Sequence, residues 1–115
     1  MKYEYSFETK YLRDGEPILI MRLPPHLEML TSFLFAEVHT RDSSAYIFSA
    51  LDNVITGTVH HYDWAGNIYG LDITPTLTMI TNEIDPDGEH PCEIETGELR
   101  EIIDLWLTEN ERLAK

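Results

Sequence analysis

Two short stretches hold the residues best suited to chemistry. One is His60-His61-Tyr62-Asp63. The other runs from Glu83 through Asp85, Asp87, Gly88, Glu89 and His90 to Cys92. Histidines, carboxylates and a thiol at this density could build a metal site or an acid–base pair. The second stretch aligns with the start of a calcium loop. Glu83-Ile84-Asp85-Pro86-Asp87-Gly88 fills the first six places, with glycine correctly sixth. The twelfth place needs a bidentate Glu, but Ile94 stands there and Glu95 comes one residue late. Pro86 stiffens the loop, and the residues before it read as strand, not helix. The segment therefore reads as an Asp-Pro-Asp-Gly turn.

Zinc fares no better. His60 and His61 are adjacent, and neighbouring residues on a strand point to opposite faces. Cys92 is the only cysteine, and neither Cys-x-x-Cys nor His-Glu-x-x-His occurs. Gly-x-Ser-x-Gly, Ser-x-x-Lys and phosphate-binding glycine loops are missing too. Cys92 lies among carboxylates, which raise a thiol's pKa and blunt its reactivity. Carboxylates are so abundant that any fold would pair some, so their presence argues no acid–base mechanism. No catalytic residue, metal or cofactor is expected.

Charge carries more information. The 115 residues include 21 acidic and 8 basic side chains, for a net charge of −13. Solubility of a small domain asks for a magnitude of only about 2–8. Between Glu83 and Glu111 there are eleven carboxylates and one basic residue, Arg100. Such a field disfavours nucleic-acid phosphates and anionic membranes, and it favours a basic partner. No apolar run reaches the roughly 18 residues of a membrane span. The N-terminus lacks a basic start followed by an apolar block, and a disulfide within the chain is excluded by the lone cysteine. A cytoplasmic protein of one domain, residues 1–115, is the expectation.

These residues need elements to position them. Alternation of Tyr3, Tyr5 and Phe7 predicts a strand over 3–12, and Asp14-Gly15 predicts a turn into a second strand over 17–23. Leu27, Leu30, Phe33, Leu34 and Val38 recur at helical spacing over 25–39. Asp42 or Ser43 could cap a second helix over 44–56, closed by Gly57. Strands over 58–64 and 68–74 flank Ala65-Gly66-Asn67, and a third over 76–84 completes a meander. Thr96 could cap a last helix over 97–113 whose apolar face is Leu99, Ile102, Ile103, Trp106 and Leu113. The sum is an α+β fold. A mostly antiparallel sheet carries an N-terminal hairpin, a central meander and helices on one side, including the C-terminal amphipathic helix.

The candidate contact surface follows from charge and aromatics. Tyr62, Trp64 and Tyr69 are typical interface anchors, and Asp63 stands among them. Asp85, Asp87, Glu89 and Glu93 would form an acidic rim, if the turn and the hairpin share one side. Burial of Tyr62 and Trp64 in the core is an equal alternative at this point. An aromatic patch ringed by carboxylates suits a Lys/Arg-rich partner such as a nuclease cleft. An isologous homodimer through an exposed strand is also compatible with the sequence.

The pattern "ALDNVITG … WAGNIYGLDITPTLTMI … IETGELREIIDLWL" over 50–107 resembles small acidic immunity proteins of bacterial contact-dependent or polymorphic toxin systems. A glycine-asparagine hairpin, an alternating strand and a final helix carrying Leu99, Ile102 and Trp106 form the likeness, over about half the chain. The resemblance implies a cytoplasmic inhibitor of one toxin, often a nuclease, encoded beside it. It assigns no toxin-contacting residue by position. The alternatives are a nucleic-acid mimic that binds basic proteins generally, and a small metal-dependent enzyme or regulator.

Overall fold

The computed structural model describes residues 1–85, 87 and 91–114. The chain forms β1 (Ser6–Tyr11), β2 (Pro17–Arg22), a single 3-10 turn (Pro25–Leu27), α1 (Glu28–Glu37), α2 (Ala45–Ile55), β3 (Tyr62–Ala65), β4 (Tyr69–Ile73), β5 (Leu77–Asn82), β6 (Cys92–Glu95) and α3 (Thr96–Ala114). This is the expected α+β fold, with two antiparallel sheets, β1-β2 and β3-β4-β5-β6.

The N-terminal hairpin turns at Gly15, whose φ of +87° is open to glycine at no steric cost. Strand β1 starts later than the alternation predicts. Tyr3 is drawn away from it: its hydroxyl donates to Glu95 Oε1 at 2.5 Å and its ring meets His26 edge-on. In the hairpin Phe7 lies opposite Met21 and Thr9 opposite Leu19. Leu19 and Met21 are buried, so this face of β2 joins the core.

Helix α1 buries Met29, Leu30, Phe33 and Leu34, and α2 buries Ile47, Ala50, Leu51 and Val54. Gly57 takes φ +83° just beyond the last turn of α2, where a left-handed residue ends a helix. The cap expected from Asp42 or Ser43 does not form. Ser44 occupies the capping place without a side-chain bond, and the Ser43 hydroxyl turns back to Thr40.

Strand β6 was not anticipated from the sequence, where 84–95 reads as a turn. Its pattern is short but clean: Cys92 and Ile94 are buried, while Glu93 and Glu95 face outward. Thr96 follows with no loop between strand and helix. Its hydroxyl does not cap α3; it donates to Thr74 O at 2.6 Å and pairs with Thr78 Oγ1. Leu99, Ile102, Ile103, Trp106 and Leu107 of α3 are buried, and Leu113 packs at the margin. Trp106 Nε1–H donates to Val38 O at 2.7 Å, which ties α3 to the end of α1.

Register divides the larger sheet into two faces. Trp64, Leu71, Ile80 and Cys92 lie in one row, with Ile73, Thr78 and Ile94 in another. These residues face the helices. Among the described residues no helix covers the opposite face, where Asp63, Asp72 and Glu93 are exposed. No helix among the described residues is long and apolar enough to cross a membrane.

Candidate functional site: the open face of the sheet

The open face is built by register. Asp63 on β3 lies opposite Asp72 on β4, Asp72 opposite Met79 on β5, and Met79 opposite Glu93 on β6. Side chains directly opposite in antiparallel strands stand about 5 Å apart. One row across four strands therefore carries three carboxylates around a half-buried methionine. Glu83 extends the patch. Its carboxylate lies over Gly70, where a Cβ would collide with it, and it accepts a bond from Thr81 Oγ1 at 2.8 Å. Glu95 closes the far edge, held by Lys2 and by the Tyr3 hydroxyl. These bonds lower its pKa to about 2, the Lys2 bond contributing most.

His61 stands just before β3 and reaches both aspartates. Its Nε2 bonds Asp72 Oδ1 and lies 3.3 Å from Asp63 Oδ1. The bond to Asp72, with the charges of both aspartates, raises the His61 pKa above its ordinary value. The three groups lie within 4.8 Å of one another and are exposed. Chemically, they are the described residues that could share a divalent cation.

Apart from Lys2 at the Glu95 edge, the paired basic residues sit elsewhere. Arg41 pairs with Asp104 at 2.9 Å and Glu111 at 2.8 Å, Arg100 with Asp52 at 2.5 Å, and Arg112 with Glu109. All of these neutralise the helical side. Among the described residues, no Lys or Arg pairs with Asp63, Asp72, Glu83 or Glu93.

The residues singled out in the sequence are thereby sorted. Asp63 and Glu93 come together on the open face. Tyr62, Trp64 and Tyr69 belong to the opposite, helix-facing side, because successive strand residues alternate. Trp64 packs edge-on against Phe33 with ring centres 5.9 Å apart, and Tyr69 does the same at 6.2 Å. Tyr69 is 6% exposed, whereas Tyr62, on the edge strand, keeps 45% exposure. Asp85 and Asp87 are exposed in the turn after β5. That turn adjoins the β3–β4 loop, as Glu83 N–H donates to Ile68 O at 2.7 Å. The hairpin and the acidic turn thus lie at one end of the sheet. Glu89 lies outside the described residues. Asp72 and Met79 went unnoticed in the sequence. The signal for Asp72 was present: one carboxylate between Leu71 and Ile73 marks the solvent side of a strand.

Cys92 is buried, and burial together with the Glu93 charge raises its thiol pKa. An unreactive thiol results.

Comparison with known proteins adds a relative across the whole chain. A curated protein named "Immunity protein" from Bacillus cereus (strain ATCC 14579) is 34% identical over 116 aligned positions, covering 100% of this chain and 94% of the relative. No family model matches the chain, and no solved structure matches it. Identity at that level over full length shows kinship, and the chain belongs to the immunity-protein family.

Proposed function

We propose that the protein is a stoichiometric inhibitor that binds one cognate toxin in the cytoplasm and neutralises it without catalysis. The toxin domain presents a basic surface, and a nuclease is the class that fits best, since carboxylates can occupy places built for phosphates. One observation carries this reading: the sheet face is left open and holds Asp63, Asp72, Glu83 and Glu93 with no Lys or Arg partner among the described residues. Met79 supplies an apolar centre within a charged surround, the composition of a docking surface. Asp85 and Asp87 at the adjoining end extend the same field, while Tyr62, exposed on the edge strand, belongs to the other face. Charge of this kind chiefly raises association rate and selects the partner. Family membership supports the immunity role.

The test is co-expression with the toxin encoded beside it. Wild-type protein should protect cells and co-purify with the toxin. The double variant Asp63→Lys/Asp72→Lys should slow association about tenfold or more at low salt, with the difference shrinking as salt rises. Lack of protection and lack of a complex overturn the proposal. An unchanged rate for the double variant moves the contact surface off this face.

A further inference from the structure

The β1-β2 hairpin has one covered edge and one bare edge. Along β2, α1 covers the outer side, and Thr31 Oγ1 donates to Met21 O at 2.8 Å. Along β1, no backbone bond among the described residues leaves Ser6–Tyr11 except towards β2. Two strands alone are a marginal sheet.

The ladder fixes which groups point out. Leu12 N–H donates to Glu16 O at 2.9 Å, and hydrogen-bonded pairs alternate along an antiparallel ladder. Lys10 with Ile18 and Glu8 with Ile20 therefore exchange bonds, while Tyr11 with Pro17, Thr9 with Leu19 and Phe7 with Met21 do not. Two features agree with this. Pro17 has no N–H to give, and the Met21 carbonyl points away from β1, to Thr31. The free backbone groups on the outer edge of β1 thus belong to Phe7, Thr9 and Tyr11.

We infer that this edge pairs with the same edge of a second copy, antiparallel, with Thr9 on the twofold axis. In that register Thr9 meets the partner copy's equivalent, Phe7 meets the other chain's Tyr11 position, and each pair exchanges two N–H···O bonds. Glu8 falls opposite the Lys10 position of the other chain, at a close, non-hydrogen-bonded site. Aromatic, threonine and opposite-charge pairs are the favourable cross-strand combinations. Tyr11, 72% exposed in the single chain, gains a neighbour. Centring the axis on Glu8 or on Lys10 instead sets like charges against each other. The charges that guard this edge therefore leave one full-length register open. Within its own chain Glu8 pairs with Arg22 at 2.6 Å and lies 4.0 Å from Lys10, so this edge carries no excess negative charge, in a chain that otherwise repels its copies. The product is a four-stranded sheet, β2-β1 continued by β1-β2 of the second copy. A single strand pair buries little area, so the dimer forms only at high protein concentration.

Sedimentation equilibrium at about 0.15 M salt, where charges beyond about 8 Å are screened, reads it directly. Weight-average mass should climb from monomer towards dimer as protein approaches about 1 mM. Lys10→Glu should weaken association about tenfold, having created two like-charge contacts. Thr9→Pro should abolish it while melting near wild type, because the lost N–H faces solvent in the monomer. In a Cys92→Ala background, Thr9→Cys should cross-link, its Cα atoms lying about 5.5 Å apart across the axis. Ser6→Cys should not, at about 20 Å. A monomer at every concentration, or equal cross-linking at both positions, overturns the inference.

Discussion

Glu37 is the last residue of α1, and its carboxylate clamps the β3–β4 loop. Oε1 accepts the N–H of Asn67 and, at 3.3 Å, that of Ile68; Oε2 accepts the N–H of Tyr69 at 2.8 Å. Glu37→Ala leaves these amides to water or to nothing. A hydrogen bond to a charged group contributes about 1.5–3 kcal/mol net. The Asn67 amide is exposed and the Ile68 bond is long, so water recovers part of the loss. The expected cost is about 2–3 kcal/mol. Unfolding entropy near 2.1 cal/mol/K per residue makes each kcal/mol worth about 4 °C in a chain of this length, so Tm should fall by about 8–12 °C. Glu28→Ala, at the exposed start of the same helix, removes the same charge and should stay within about 0.5 kcal/mol. Thermal melting followed by circular dichroism gives the shift, and amide hydrogen exchange should show Asn67, Ile68 and Tyr69 losing protection. Gly66 offers an internal check. A Cβ there would collide with the Glu37 carboxylate, so Gly66→Ala and Glu37→Ala should be strongly non-additive. Melting of Glu37→Ala within about 2 °C of wild type would refute the clamp, since the entropy argument allows no such small shift for bonds of this strength.

Two further predictions follow from single groups. His61 has its pKa raised by Asp72 and Asp63, so its stabilising effect is complete below the unfolded value of about 6.5 and is lost as pH rises through the folded value. Wild-type Tm should decline across that window and the decline should vanish in His61→Gln; a titration of the His61 ring by NMR that gives a pKa below 6.5 would contradict the sign. Trp106→Phe removes the donor to Val38 O at 2.7 Å from a side chain only 3% exposed, and should cost about 2–3 kcal/mol by urea unfolding. A loss under about 0.5 kcal/mol would mean that the bond does not anchor α3.

The parts legible in the sequence are those whose periodicity runs long enough to exceed local noise. Helix α3 shows Leu99, Ile102, Ile103 and Trp106 at helical spacing, and the first hairpin shows alternation on both sides of Asp14-Gly15. Strand β6 was hidden because four residues hold only two inward positions, Cys92 and Ile94, and because α3 begins with no intervening loop. Thr96 has the chemistry of a cap, but tertiary contacts with Thr74 and Thr78 take its hydroxyl. The site was half legible. Sequence proximity groups Tyr62, Asp63 and Trp64, whereas strand geometry divides them between two faces. What joins Asp63 to Asp72, Met79 and Glu93 is cross-strand register over thirty residues of chain, which no local pattern encodes.

Net charge alone cannot say where a partner would dock; the pairing of charges can. Asp63 directly opposite Asp72 is unfavourable for folding, by about 1 kcal/mol at a separation near 5 Å in water. His61 offsets this only while protonated. A sheet face selected for stability would place opposite charges, threonines or aromatics at such positions. Here the arginines that could relieve the repulsion are instead engaged by Asp52, Asp104, Glu109 and Glu111 on the helices. The fold thus pairs charges on the helical side and, apart from Lys2 with Glu95 at one edge, leaves the carboxylates of the open face without a Lys or Arg partner among the described residues. In the proposed complex a basic partner would relieve that repulsion on contact, so the same carboxylates that weaken the free sheet would strengthen the complex. That coupling favours the open face over the aromatic hairpin as the docking surface.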